Sequence, residues 1–113
     1  MAPLIKEGGR IVLFTSTLCK ASTVTPNYIA YCATKGAIEQ MTRVMPKDLA
    51  RKGIMVNCAA PGPTATDFVL SGKPQNVIDM FAGAIPQKQL GNPEEIAGTV
   101  RFLSGPESRW VSS

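Results

Sequence analysis

Two short apolar runs, Arg10-Ile11-Val12-Leu13-Phe14-Thr15 and Ile54-Met55-Val56-Asn57-Cys58-Ala59, constrain the fold of this chain more than any other feature. Both are almost continuously apolar and carry β-branched residues. They lack the alternation of a strand that faces water on one side, and so read as strands buried on both faces of a parallel sheet. From Tyr28 to about Lys52, the residues Ile29, Ala33, Ala37, Ile38, Met41, Val44, Met45 and Leu49 recur at helical spacing. Parallel strands need a long crossover, and this helix supplies it. The resulting strand–helix–strand order is that of an α/β fold built on a parallel sheet.

The flanking segments follow the same logic. Met1 to Glu7 is amphipathic and reads as the tail of a helix stopped by Gly8-Gly9. Ser16 to Asn27 is a loop by its Ser/Thr content and Pro26. Pro46 falls inside the long helix, at a cost of ~3 kcal/mol, and is expected to kink it or divide it in two. Gly53 stops that helix, and Pro61-Gly62-Pro63 breaks the second strand. Thr64 to Gln75 reads as loop or short helix, and Val77 to Ala84 as helix. Pro93-Glu94-Glu95 opens a last helix through Ile96, Val100, Phe102 and Leu103 to Gly105-Pro106, its acids at the positive end of the helix dipole.

On the long helix, Tyr31 and Lys35 stand four residues apart, which puts them on one face, and fifteen residues after Ser16. An ammonium held beside a phenol favours the phenolate, and a nearby hydroxyl orients a carbonyl or alcohol oxygen. A Tyr/Lys pair at this spacing is usually just a helix face, and Ser16 alone reads as a loop-capping hydroxyl. Likewise Thr66 reads as a helix N-cap and Pro61-Gly62 as a turn.

Composition removes several alternatives. The chain of 113 residues holds one domain at most, and its net charge of +4 is spread rather than massed, against nucleic-acid binding. No basic amphipathic helix or apolar run near ~20 residues points to a membrane. The absence of His and three cysteines, Cys19, Cys32 and Cys58, without C-x-x-C spacing argue against zinc and against His-dependent nucleophilic catalysis. The cysteines read as small half-buried thiols, and the expected compartment is the cytoplasm.

Taken in register, Gly9-Arg10-Ile11-Val12 leading to Ser16, Tyr31-x-x-x-Lys35, Val56-Asn57, Pro61-Gly62-x-x-x-Thr66, Gly91-x-Pro93-Glu94-Glu95-Ile96-Ala97 and Phe102-Leu103 resemble the short-chain dehydrogenase/reductases. The resemblance runs over residues 1–113 and implies part of a Rossmann-type NAD(P)-binding domain. It implies Tyr31 as general acid/base, with Lys35 tuning it and binding the nicotinamide ribose. Ser16, or Thr17 in its place, would hold the substrate oxygen. Tyr31 and Lys35 would also border the cofactor, with the Pro61-Gly62 turn at the carboxyl end of its strand, and the backbone near Thr64 and the Thr66 hydroxyl would bind the nicotinamide carboxamide. The implied cofactor is NADP, with NAD possible in its stead, and the substrate a small carbonyl or alcohol. In a full-length form the helix around residues 28–52 would join a homo-oligomer.

The same resemblance makes absences visible. There is no G-x-G-x-x-G turn and no Asn-Asn-Ala-Gly stretch, and the sequence stops at Trp110-Val111-Ser112-Ser113, before the family's last strand. The chain therefore reads as a carboxyl-terminal half. Two sheet strands alone leave an apolar edge and helix faces uncovered, so the isolated 113 residues are expected to be unstable and inactive. The alternative is a non-catalytic remnant that at most associates with a full-length relative.

Overall fold

In the computed structural model, which describes residues 2–113, strand β1 (Arg10–Phe14) leads through helix α1 (Ile29–Leu49) to strand β2 (Met55–Ala59). Helices α2 (Asp67–Leu70), α3 (Gln75–Gly83) and α4 (Pro93–Ser104) follow. The two strands pair in parallel, Ile11 opposite Val56 and Leu13 opposite Cys58. This is the α/β arrangement expected from the two apolar runs.

Helix α1 is entered through a 3-10 turn, Pro26–Tyr28, with proline in its first position. Its far end tightens into a second 3-10 turn, Ala50–Lys52, and stops where Gly53 takes the left-handed conformation at φ 65°. Pro46 does not divide the helix, which stays one element with Thr42, Pro46 and Leu49 buried. Burying that face against the sheet outweighs the loss of one backbone hydrogen bond. The Thr42 hydroxyl meanwhile donates to the Ile38 carbonyl at 2.8 Å, one turn back.

The amino-terminal segment differs from its reading. Only Ala2–Leu4 is helical, as a 3-10 turn, and Met1 lies outside the described residues. The chain bends back instead, Gly9 N–H donating to the Lys6 carbonyl at 3.0 Å, which sets Ile5 on the core. A Cβ at Gly9 would collide with the Ile5 side chain, so this turn needs glycine.

Leu49, Ile54 and Val56 form the buried centre, packed by Ile5, Ile11 and Met45. Ile54 and Val56 are fully enclosed, at 0% exposure. Around this small core, Ile29, Met41 and Val44 of α1, Phe68 of α2 and Trp110 face outward. At the amino end of α4 the Glu95 carboxylate accepts from the Asn92 N–H at 2.8 Å, completing a capping box around Pro93.

The sheet has two strands among the described residues, and the last residues lie along β2. Asn57 Nδ2 donates to the Val111 carbonyl at 2.9 Å, and Ser113 N–H donates to the Val56 carbonyl at 3.1 Å. The tail thus starts to cover the edge of β2 opposite β1. Among the described residues no helix is long and apolar enough to cross a membrane.

Candidate active site

Parallel strands deliver their following loops to one edge of the sheet, and in open α/β sheets ligands bind there. Here the loop after β1 carries Ser16 and the loop after β2 carries Pro61 and Gly62. The two loops are tied together: the Thr17 N–H and hydroxyl both donate to the Pro61 carbonyl, at 3.2 and 3.4 Å.

Ser16 is buried, and its extended backbone makes it the N-cap of a 3-10 turn, Thr17–Cys19. Its Oγ accepts from the Leu18 N–H at 3.2 Å. The loop-capping reading of Ser16 is therefore correct as far as it goes. Capping engages a lone pair only, so the hydroxyl hydrogen is still available to another acceptor.

Tyr31 and Lys35 share a face of α1, as their spacing requires. The Lys35 ammonium lies 5.7 Å from the centroid of the Tyr31 ring, within cation–π range. It also donates to the carbonyl of Phe14, the last residue of β1, at 3.1 Å. Tyr28 meets Tyr31 edge to face, with ring centroids 6.4 Å apart. Strand β1 and the first turns of α1 are thereby fastened to each other beside Ser16.

The loop after β2 is organised by its own backbone. Thr64 is buried, forms a parallel bridge with Gly91, and its hydroxyl donates to the Gly62 carbonyl at 2.9 Å. Thr66 occupies the N-cap position of α2, yet its side chain makes no capping hydrogen bond. Its hydroxyl is uncommitted at the mouth of the loop. At Gly62 an added Cβ would meet only the Thr17 hydroxyl, at 3.8 Å. The structure thus gathers Ser16, Tyr31, Lys35, Pro61 and Gly62 around one sheet edge, with Thr64 and Thr66 following on the same loop.

Sequence reasoning passed over Thr15. This buried hydroxyl has two acceptors within reach of its one hydrogen, the Lys35 carbonyl at 3.0 Å and Glu39 Oε1 at 3.2 Å, and Glu39 in turn pairs with Lys20 at 3.1 Å. The one available signal was a polar residue ending an apolar run. Also unforeseen was the meeting of Cys19 with Cys32. Desolvation, and next the neighbouring Cys19, pushes the Cys32 thiol above its ordinary value.

Comparison with known proteins identifies the family. The family model described as Enoyl-(Acyl carrier protein) reductase matches residues 1–113. A short-chain type dehydrogenase/reductase of Picea abies is 39% identical over 94% of the chain, and covers 38% of its own length in doing so. A chloroplastic NADPH-dependent aldehyde reductase-like protein of Arabidopsis thaliana is 36% identical over 93% of the chain, again 38% of its own length. Among solved structures, the angucycline C-6 ketoreductase LanV with bound NADP superposes with a TM-score of 0.88 at 29% identity, covering 97% of the chain and 42% of LanV. BdcA in complex with NADPH superposes with a TM-score of 0.87 at 36% identity, covering 98% of the chain and 44% of BdcA. The chain spans about two fifths of the length of these relatives. With the family model matched over residues 1–113 and these relatives over more than nine tenths of the chain, the chain belongs to the short-chain dehydrogenase/reductase family.

Proposed function

We propose that this chain is the carboxyl-terminal part of an NADP(H)-dependent oxidoreductase that interconverts a small carbonyl compound and its alcohol. One observation carries the reading: Ser16, the Tyr31–Lys35 pair and the Pro61–Thr66 loop converge on the carboxyl edge of two parallel strands.

The residues fit the cofactor. Thr66 makes no capping hydrogen bond with its hydroxyl, an added Cβ at Gly62 would meet nothing nearer than the Thr17 hydroxyl at 3.8 Å, and Lys35 is a cation beside the Tyr31 ring. Pro61, Gly62, Thr64 and Thr66 would hold the carboxamide end, and Lys35 the adjoining ribose. NADP is preferred over NAD because the aldehyde reductase-like relative and the solved LanV and BdcA are named with NADP or NADPH. When bound, the nicotinamide supplies or accepts the hydride.

The chain's own residues manage the proton. Ser16, its oxygen held by the Leu18 N–H, donates its hydrogen to the substrate oxygen and fixes that atom's position. Tyr31 gives its proton to the same oxygen in reduction and takes one back in oxidation. The Lys35 ammonium stands beside the ring, 5.7 Å from its centroid. Thr17, whose hydroxyl donates to the Pro61 carbonyl, is the weaker candidate for the Ser16 role. The outward Met41 and Val44 of α1 support a homo-oligomer of the longer protein through this helix.

The test is the reading frame upstream of Met1. A frame that continues into a Gly-rich turn and an Asn-Asn-Ala-Gly stretch, and whose product consumes NADPH with carbonyl substrates, supports the proposal. Stop codons in that frame, with a product that neither binds nor consumes NADPH, overturn it in favour of the non-catalytic remnant.

A further inference from the structure

The 3-10 turn Thr17–Cys19 packs on the first turns of α1 through two sulfur contacts that run in opposite directions. Cys19 Sγ lies 3.8 Å from the Cys32 carbonyl, and Cys32 Sγ lies 3.9 Å from the Leu18 carbonyl. Each thiol therefore rests against the backbone of the segment that carries the other. Thr15 Oγ1 approaches Cys19 Sγ at 3.7 Å from the strand side. Cys32 also lines an open apolar cavity of about 290 Å³ with Val24, Pro26, Tyr28 and Ile29, which gives a small neutral oxidant a route to this residue. Cys58 stands apart on β2, its sulfur 3.8 Å from the Ala59 carbonyl.

We propose that Cys19 and Cys32 form an oxidisable dithiol site, closed to a disulfide by oxidants of the peroxide class, that cross-links the turn carrying Ser16 to the helix carrying Tyr31. One sulfur attacks a peroxide oxygen, the O–O bond breaks, and a sulfenic acid and one water result. The second sulfur then attacks the sulfenic sulfur, the S–O bond breaks, and the departing hydroxide takes the second thiol proton as water. Two thiols and one peroxide give one disulfide and two waters, with both sulfurs oxidised and both peroxide oxygens reduced. The site stands on the thiol contacts alone and does not depend on the oxidoreductase reading. The raised Cys32 thiol is consistent with the pair, since Cys19 contributes to it after desolvation.

The test uses the longer protein that carries these residues, dilute, treated with hydrogen peroxide, alkylated with N-ethylmaleimide and digested with trypsin without reduction. Trypsin separates the two cysteines, so the disulfide appears as peptide 11–20 linked to peptide 21–35, released by dithiothreitol. Chain statistics alone favour this link over Cys32–Cys58, whose spacing is twice as long, by only about threefold. The fold is expected to raise that preference to roughly tenfold or more, well above the random-closure ratio. In concentrated guanidinium it should fall back to the statistical value, and Cys58→Ser should leave the link unchanged. Three results overturn the proposal: a native preference no greater than the denatured one, links through Cys58 in comparable yield, or Cys19 and Cys32 oxidised separately to sulfinic acids.

Discussion

Lys35 and Phe14 are joined across twenty-one positions of sequence by a 3.1 Å hydrogen bond from the ammonium to the backbone carbonyl. The bond reaches from α1 to the last residue of β1, while the same ammonium stands 5.7 Å from the Tyr31 ring centroid. One cation thus addresses both the strand end and the phenol.

Replacing it separates two roles. In the longer oxidoreductase proposed above, Lys35→Met is expected to lower kcat/KM by about a hundredfold or more, the range of a general acid/base contribution. The exposed hydrogen bond to Phe14 contributes about 1 kcal/mol at most, so Tm should fall by only a few degrees. A variant with full activity, or one unfolded at room temperature, contradicts this assignment. Steady-state kinetics beside thermal denaturation decide it.

Ser16 and its neighbour Thr17 are distinguished by what their hydroxyls already do. The Thr17 hydroxyl donates to the Pro61 carbonyl at 3.4 Å, whereas the Ser16 oxygen only accepts, from the Leu18 N–H. Ser16→Ala should therefore cost about a hundredfold in kcat, and Thr17→Val less than about tenfold, through a long bond of little strength. The opposite ranking would transfer the substrate-orienting role to Thr17.

Ile54 is fully enclosed in a core of few residues. In the longer protein that carries this chain, Ile54→Ala should destabilise the domain by about 2–5 kcal/mol, a large share of the stability of a domain. Loss of a cooperative urea transition, followed by circular dichroism, is the expected readout. An unchanged transition midpoint would place the folding core elsewhere.

The Cys32 thiol lies above its ordinary value, first through desolvation and then through Cys19. A raised thiol holds less thiolate at mildly alkaline pH, so its alkylation should lag an unperturbed peptide cysteine there and catch up as pH rises further. Cys19→Ser removes the second cause and should move the Cys32 rate profile part of the way toward lower pH. Mass-spectrometric alkylation rates against pH check both. A Cys32 profile that coincides with the free peptide's would remove the effect.

Which of these features were legible in the sequence follows from how local they are. The strands of the apolar runs, the crossover helix and the start of α4 at Pro93 each depend on a few adjacent residues, and each is present. Tyr31 and Lys35 share a face because helical spacing dictates it. The division that Pro46 suggested does not occur, because its backbone penalty is local while the burial of Thr42, Pro46 and Leu49 that offsets it depends on the sheet. The Thr15 contacts with Lys35 and Glu39 span twenty and twenty-four positions and leave no mark in either segment. The docking of Val111 and Ser113 on β2 is equally non-local, as is the approach of Cys19 to Cys32.

Strand β1 pairs with β2 along one side only among the described residues. Its other side offers backbone donors and acceptors already held at strand spacing by α1, Thr15 and Lys35. Such an edge is a template, and a template accepts a strand whether or not the two belong to one polypeptide. The βαβ unit is therefore suited to split-protein complementation, in which a separately expressed amino-terminal portion of a relative is laid onto β1 to rebuild the sheet.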